Sequence, residues 1–144
     1  MAKAKGKGSI KHQSEQRDLA NYFRKQGKFA VVEAFIGKNV DILVYDSTKT
    51  IAVEIQLTPQ HCLENTREDF RLGCDEVWIV CTSTKVLNNI KNKVQPHLNI
   101  TLRNKTKFYL IEDFIPHSKN KNTNITRNKI VEQNSGIKSS LERR

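Results

Sequence analysis

The chain has only three cysteines in 144 residues, Cys62, Cys74 and Cys81. An odd number without Cys-x-x-Cys pairs excludes a disulfide framework, and His61-Cys62 with Cys74 lacks zinc-ligand spacing. No apolar run approaches the length needed to cross a bilayer, and the N-terminus carries no apolar signal region. A soluble, cytoplasmic protein with no membrane partner is therefore expected. No glycine-rich loop of the Walker or dinucleotide type occurs, and no serine or cysteine triad is legible from spacing. The aromatic residues are scattered through core patterns and form no stacking platform for bases. Acidic residues are scarce at both ends. Residues 1–13 hold four lysines and no acid, and residues 117–144 hold seven Lys or Arg against two Glu. The span between them has 14 basic and 13 acidic side chains, so the net charge of +10 sits in the ends. Basic arms of this kind bind phosphate backbones through counterion release without reading sequence, and the same composition also serves as a solubilising tail.

A chain of this length supports one domain with a modest core. The composition divides it into a flexible basic arm at 1–11, a domain at 12–116, and an Asn-, Lys- and Ser-rich tail at 117–144. Within the domain the strongest pattern is Asn39-Val-Asp-Ile-Leu-Val-Tyr-Asp46 followed, after a short polar link, by Thr50-Ile-Ala-Val-Glu-Ile-Gln-Leu-Thr58. Both arms alternate with period two, the signature of half-buried strands. With Ser47 and Thr48 at the tip of a hairpin, Tyr45 faces Thr50, Leu43 faces Ala52 and Asp41 faces Glu54. Val40, Ile42 and Val44 then share an apolar face with Ile51, Val53 and Ile55. Carboxylates on cross-strand neighbours repel unless a positive partner sits between them, and a divalent cation with oxygen ligands is the simplest one. A loop one residue longer or shorter would send the two acids to opposite faces.

Helices and further strands flank the hairpin. His12 to about Lys25 is a helix with Leu19, Tyr22 and Phe23 as its apolar stripe and Gly27 as its stop. Glu15 lies beside that stripe, either near the acids of the hairpin or as a first-turn acid that favours the helix dipole. Phe29 to Ile36 is a strand whose one charge is Glu33, which either joins the acids across the Gly37-Lys38 turn or stands exposed at an edge. Pro59 opens a helix capped by Thr58, which runs to about Leu72 and carries Arg67 on its Leu63–Phe70 side. Arg67 reaches the acids or a phosphate, or pairs with Glu64 or Glu68. Glu76 to Ser83 is an apolar strand of the doubly covered kind. Ser83 or Thr84 caps a further helix through about Val94, closed by Pro96. Two short strands are expected at Asn99–Leu102 and Lys107–Ile111. The order is α-β-β-β-α-β-α-β-β, an α/β chain with a mixed sheet flanked by helices.

Asp41 and, thirteen residues on, Glu54-Ile-Gln56 resemble the metal site of PD-(D/E)xK nucleases, closest to archaeal-type Holliday junction resolvases and to the nuclease domain of the competence protein CoiA. The likeness runs from about Ser9 to Thr84. It takes in the first helix, the hairpin, Glu54-Ile-Gln-Leu-Thr-Pro, the helix of Arg67 and the strand Val77-Trp-Ile-Val80. Two positions depart from the motif. Val40 stands where its proline would be, and Gln56 where its lysine would be. The resemblance implies a restriction-endonuclease-like core and Mg²⁺ or Mn²⁺ held by Asp41, Glu54 and the Ile55 carbonyl. Gln56 would act beside the metal, and Glu33 or Glu15 would be a third catalytic carboxylate. It further implies DNA as partner, contacted by Lys38, Arg67 and Lys11, and leaves room for a homodimer. Two other functions fit the same residues: a nuclease fold kept for DNA binding alone, and an interaction module whose basic ends serve an acidic protein.

Overall fold

A computed structural model describes residues 9–116. The expectations for residues 1–8 and 117–144 lie outside the described residues. The chain begins with α1 (Ile10–Lys25), capped by Ser9, whose hydroxyl accepts the His12 N–H, so this helix starts two residues earlier than its apolar stripe suggests. There follow β1 (Phe29–Phe35), β2 (Asn39–Asp46), β3 (Lys49–Gln56), α2 (Cys62–Arg71), β4 (Glu76–Cys81), α3 (Thr84–Val94), α4 (Ile100–Asn104) and β5 (Thr106–Leu110). The strands form one sheet in the order β1-β2-β3-β4-β5. The first three pair antiparallel, and β3-β4 and β4-β5 pair parallel. This is the expected mixed α/β sheet with a restriction-endonuclease-like arrangement.

The hairpin register is the one the alternation predicts. Leu43 pairs with Ala52 and Tyr45 with Thr50, which leaves Ser47 and Thr48 as a two-residue turn. Ser47 takes a positive φ of 57°, the backbone sign that primed hairpin turns demand. One layer of core lies between the sheet and α1, where Leu19, Ala20 and Phe23 pack on Ala30, Ile42, Val44, Ile51 and Val53. The other lies under α2 and α3, where Cys62, Ile90 and Val94 pack on Leu43, Ala52, Val77 and Ile79.

Two expectations about the strands are corrected. Val40 does not continue the row of Ile42 and Val44; it packs with Leu43 and Ala52 in the opposite layer, and so does its partner Ala34. The register sets Glu33 opposite Asp41, and Glu33 has a left-handed φ of 55°. The period-two alternation therefore breaks in both strands at that level. Asn99–Leu102 is not a strand. Asn99 caps α4 by accepting the Leu102 N–H at 2.9 Å, and Thr106 closes it by donating to the Leu102 carbonyl at 2.7 Å. A run as short as Ile100-Thr-Leu102 cannot distinguish a strand from a helical turn, and the side-chain cap decides. The helix expected from Pro59 begins three residues later, because His61 adopts a left-handed conformation just before it.

Phe23 ties α1 to β4 and to the residues after β5 within the same layer, with its ring 5.8 Å from Trp78 and 5.9 Å from Phe114. It is 1 % exposed. Phe23→Ala should cost about 3–5 kcal/mol. Urea unfolding should show this as a lower midpoint with an unchanged slope.

Candidate active site

The β2–β3 pair parts company beyond Ile42 and Val53, and the side chain of Asp41 fills the fork. Its Oδ2 accepts the Ile55 N–H at 2.7 Å, a bond that a backbone carbonyl would make in a continuing ladder. Across the fork Glu54 Oε1 lies 3.5 Å from the Asp41 N–H. The two acids expected to face each other therefore meet at this opening, with Glu54 buried and Asp41 half-buried.

From this fork the two carboxylates reach toward different helices. Asp41 Oδ1 lies 3.3 Å from His12 Nε2 and 3.3 Å from Gln16 Nε2, both on α1. The same Gln16 nitrogen donates to Glu33 Oε2 at 2.7 Å. A buried neutral amide thus bridges two carboxylates. His12, Glu33 and Asp41 each offer one ligand atom, and these lie within 4.8 Å of one another. The bond to Asp41 holds the His12 imidazole above its ordinary pKa, against the opposing effect of burial.

Glu54 turns toward α2. Its Oε2 pairs with Lys38 Nζ at 3.2 Å, and the same ammonium lies 2.8 Å from Oδ1 of Asp69. Asp69 is fully buried, and neither of its carboxylate oxygens has a directed hydrogen bond. Desolvation first, then the neighbouring Asp69 and Asp41 carboxylates, push Glu54 well above the usual carboxylate range, while Lys38 pulls it down. Burial acts to lower Lys38, but Glu54 and Asp69 outweigh it and hold its pKa up. One ammonium thus serves two carboxyl groups in a desolvated place.

A cavity of about 590 Å³ opens over these groups, lined among others by His12, Glu33, Lys38, Asp41, Glu54 and Gln56. Among the expected residues, Asp41, Glu54, Ile55, Gln56, Glu33 and Lys38 come together there. Glu15 does not. It lies over a second groove beside Ile111, 4.0 Å from Lys11, which shares that groove. Arg67 does not line the cavity either; its guanidinium donates to the His97 carbonyl at 2.7 Å.

His12, Gln16 and Asp69 were missed by reading motifs, although each carries a local signal. His12, Gln16, Leu19 and Phe23 follow one another at offsets of four, three and four, so the buried stripe of α1 continues into polar residues. Cys62, Thr66 and Asp69 form the buried stripe of α2, which ends on a charge. Polar groups on a buried stripe must find partners or a task. Burial pushes the Cys62 and Cys74 thiols up to about 12 and Cys81 to about 11, which leaves them inert.

No helix among the described residues is long and apolar enough to cross a membrane. No curated protein and no solved structure matches the chain. Residues 8–142 do match the family described as competence protein CoiA, nuclease-like domain, and with its acids gathered at the fork of the sheet the chain belongs to that family.

Proposed function

We propose that this protein is a divalent-metal-dependent endonuclease that hydrolyses phosphodiester bonds in DNA. The observation that carries the proposal is the meeting of Asp41, Glu33 and His12, from β2, β1 and α1, within 4.8 Å of one another beside Glu54. Two carboxylates gathered in a half-buried place and bridged by a neutral amide suit a metal ion. Carboxylate oxygens fit Mg²⁺ or Mn²⁺, and an imidazole in the set moves the preference toward Mn²⁺. Asp41 is common to two donor sets, one with His12 and Glu33 and one with Glu54 and the Ile55 carbonyl. When bound, such an ion supplies an activated water and neutralises the charge that grows on the phosphate.

The chain's own groups do the rest. Gln16 holds Glu33 and Asp41 in register through its single amide nitrogen. Gln56, half-buried on the cavity wall, orients water through its amide but brings no charge. Lys38 meets the phosphate. Lys11, with its side chain 77 % exposed, and the two basic ends follow the backbone of the nucleic acid. Within DNA, the likeness to resolvases favours branched or recombining molecules, read by shape.

The test is incubation with supercoiled plasmid and with a synthetic four-way junction, each with Mg²⁺, Mn²⁺ or EDTA. Cleavage should require the metal and should vanish in Asp41→Asn and Glu54→Gln while the fold is retained. Near-normal cleavage by either variant would remove that residue from the site.

A second proposal rests on Gln56. A neutral residue at the position of the motif's lysine also suits a nuclease fold retained for binding alone. Gln56→Lys distinguishes the two. An active wild type should keep or raise its rate, whereas cleavage gained only in Gln56→Lys would establish the binding role.

The charged ends make a separate prediction. Deleting residues 1–8 and 117–144 should weaken DNA binding and flatten its dependence on salt, by about 0.9 in log–log slope for each duplex phosphate no longer neutralised. Unchanged affinity and slope would show that the body alone grips the nucleic acid.

A further inference from the structure

We infer that Lys38 supplies the positive charge beside the reacting phosphate that residue 56 cannot supply, and that Asp69, buried behind it, is the residue that positions it. The inference rests on the nuclease function proposed above, gives Lys38 a role in the chemical step and adds Asp69 behind it. Among the described residues, Lys38 is the one lysine or arginine that lines the cavity. Its ammonium and the His12–Glu33–Asp41 group line the same cavity. A phosphodiester bound in it would meet both ligands for a metal and a fixed cation.

Both ends of the Lys38 side chain are fixed. At the backbone, Gly37 has a φ of +114°, and a Cβ built there would come 3.0 Å from Leu72 Cδ2 at the end of α2. The Ile36 N–H donates to the Lys38 carbonyl at 3.0 Å and closes the turn. At the head, Asp69 Oδ1 holds Nζ at 2.8 Å from behind, while Glu54 lies 3.2 Å away on the cavity side. Asp69 does not itself line the cavity, so it acts through Lys38. A buried ion network is a poor means of joining a helix to a sheet, because apolar residues of the same volume serve as well or better. Here the carboxylate is kept fully buried and short of directed hydrogen bonds behind an ammonium whose side chain is 19 % exposed at a cavity wall. That arrangement holds a cation ready in place, as catalysis by preorganised charge requires.

In the reaction a water oxygen bonds to phosphorus and gives up a proton to solvent. One P–O bond to a sugar breaks, and the departing oxygen takes up a proton. The extra negative charge of the transition state falls on the non-bridging oxygens, and Lys38 is placed to stabilise it without transferring a proton.

The experiment is single-turnover cleavage of a DNA duplex at saturating Mn²⁺, with DNA affinity measured separately. Lys38→Met should lower the rate by about 10²–10³-fold while changing affinity only a few-fold. Lys38→Arg should recover part of it. Asp69→Asn, which keeps shape and hydrogen-bonding capacity, should lower the rate of the wild type but not further lower that of Lys38→Met. A purely structural network would give lower urea midpoints and an unchanged rate per folded molecule, which would overturn the inference. Lys38→Cys offers a route that a folding defect does not close. Alkylation with bromoethylamine rebuilds a lysine-like side chain, and the other three thiols are buried. Recovery of rate on alkylation supports the role, and alkylation without recovery refutes it. Asp41→Asn reports on the nuclease function independently. If the wild type cleaves and Asp41→Asn does not, yet Lys38→Met cleaves normally, only the role of Lys38 falls. If no metal supports cleavage by the wild type, both fall together.

Discussion

The two-residue turn at Ser47 and Thr48 is the constraint on which the rest depends. It sets the register of β2 on β3, and that register places Asp41 and Glu54 at the same level of the sheet. A slip of one residue would exchange the faces of a whole strand, moving Ile51, Val53 and Ile55 out of the α1 layer into the layer under α2 and α3 that is fitted to Ala52. Forcing three branched side chains into a layer packed around a small one costs about 1–3 kcal/mol each, more than a strained Ser47 contributes against the turn. Core packing therefore holds the acids at their positions.

That register brings with it a local failure of the sheet, and the protein uses it. Where the strands part, Asp41 substitutes a side-chain oxygen for a backbone carbonyl and satisfies the Ile55 N–H. Opposite it Glu33 adopts a left-handed conformation, and both β1 and β2 change faces there. Bulged or broken ladders of this kind occur where a side chain must be re-aimed. The result is that Asp41 can reach α1 while Glu54 reaches α2, so the two helical layers both contribute to one cavity.

The electrostatics of the two halves differ in kind. On the α1 side, acids are held together by a neutral amide and an imidazole, groups that leave negative charge in excess. On the α2 side, Lys38 is shared by two buried carboxyls, and desolvation makes the charge of Glu54 expensive. Buried charges survive only with partners, and each half solves this with groups from a different helix. The inert, buried cysteines and the nearly neutral body leave charge concentrated here and, by sequence, in the two ends.

By itself the sequence determined the hairpin, the strand of Trp78 and the capped helix after Ser83, and it offered the register that sets Asp41 level with Glu54 as one of two. All of these follow from period-two or 3.6-residue patterning and from caps, which are local. It left Glu15 and Glu33 as equal candidates for a third carboxylate, and it assigned Asn99–Leu102 to a strand. The tertiary structure decided those points. Packing of Leu19 and Phe23 on the sheet turns His12 and Gln16, not Glu15, toward Asp41. A side-chain cap from Asn99 winds the following residues into a helical turn. The contact of Lys38 with Asp69 joins residues 31 positions apart, and local patterning holds no information about which distant charges will be buried together. That depends on how α2 docks, which is a property of the assembled core.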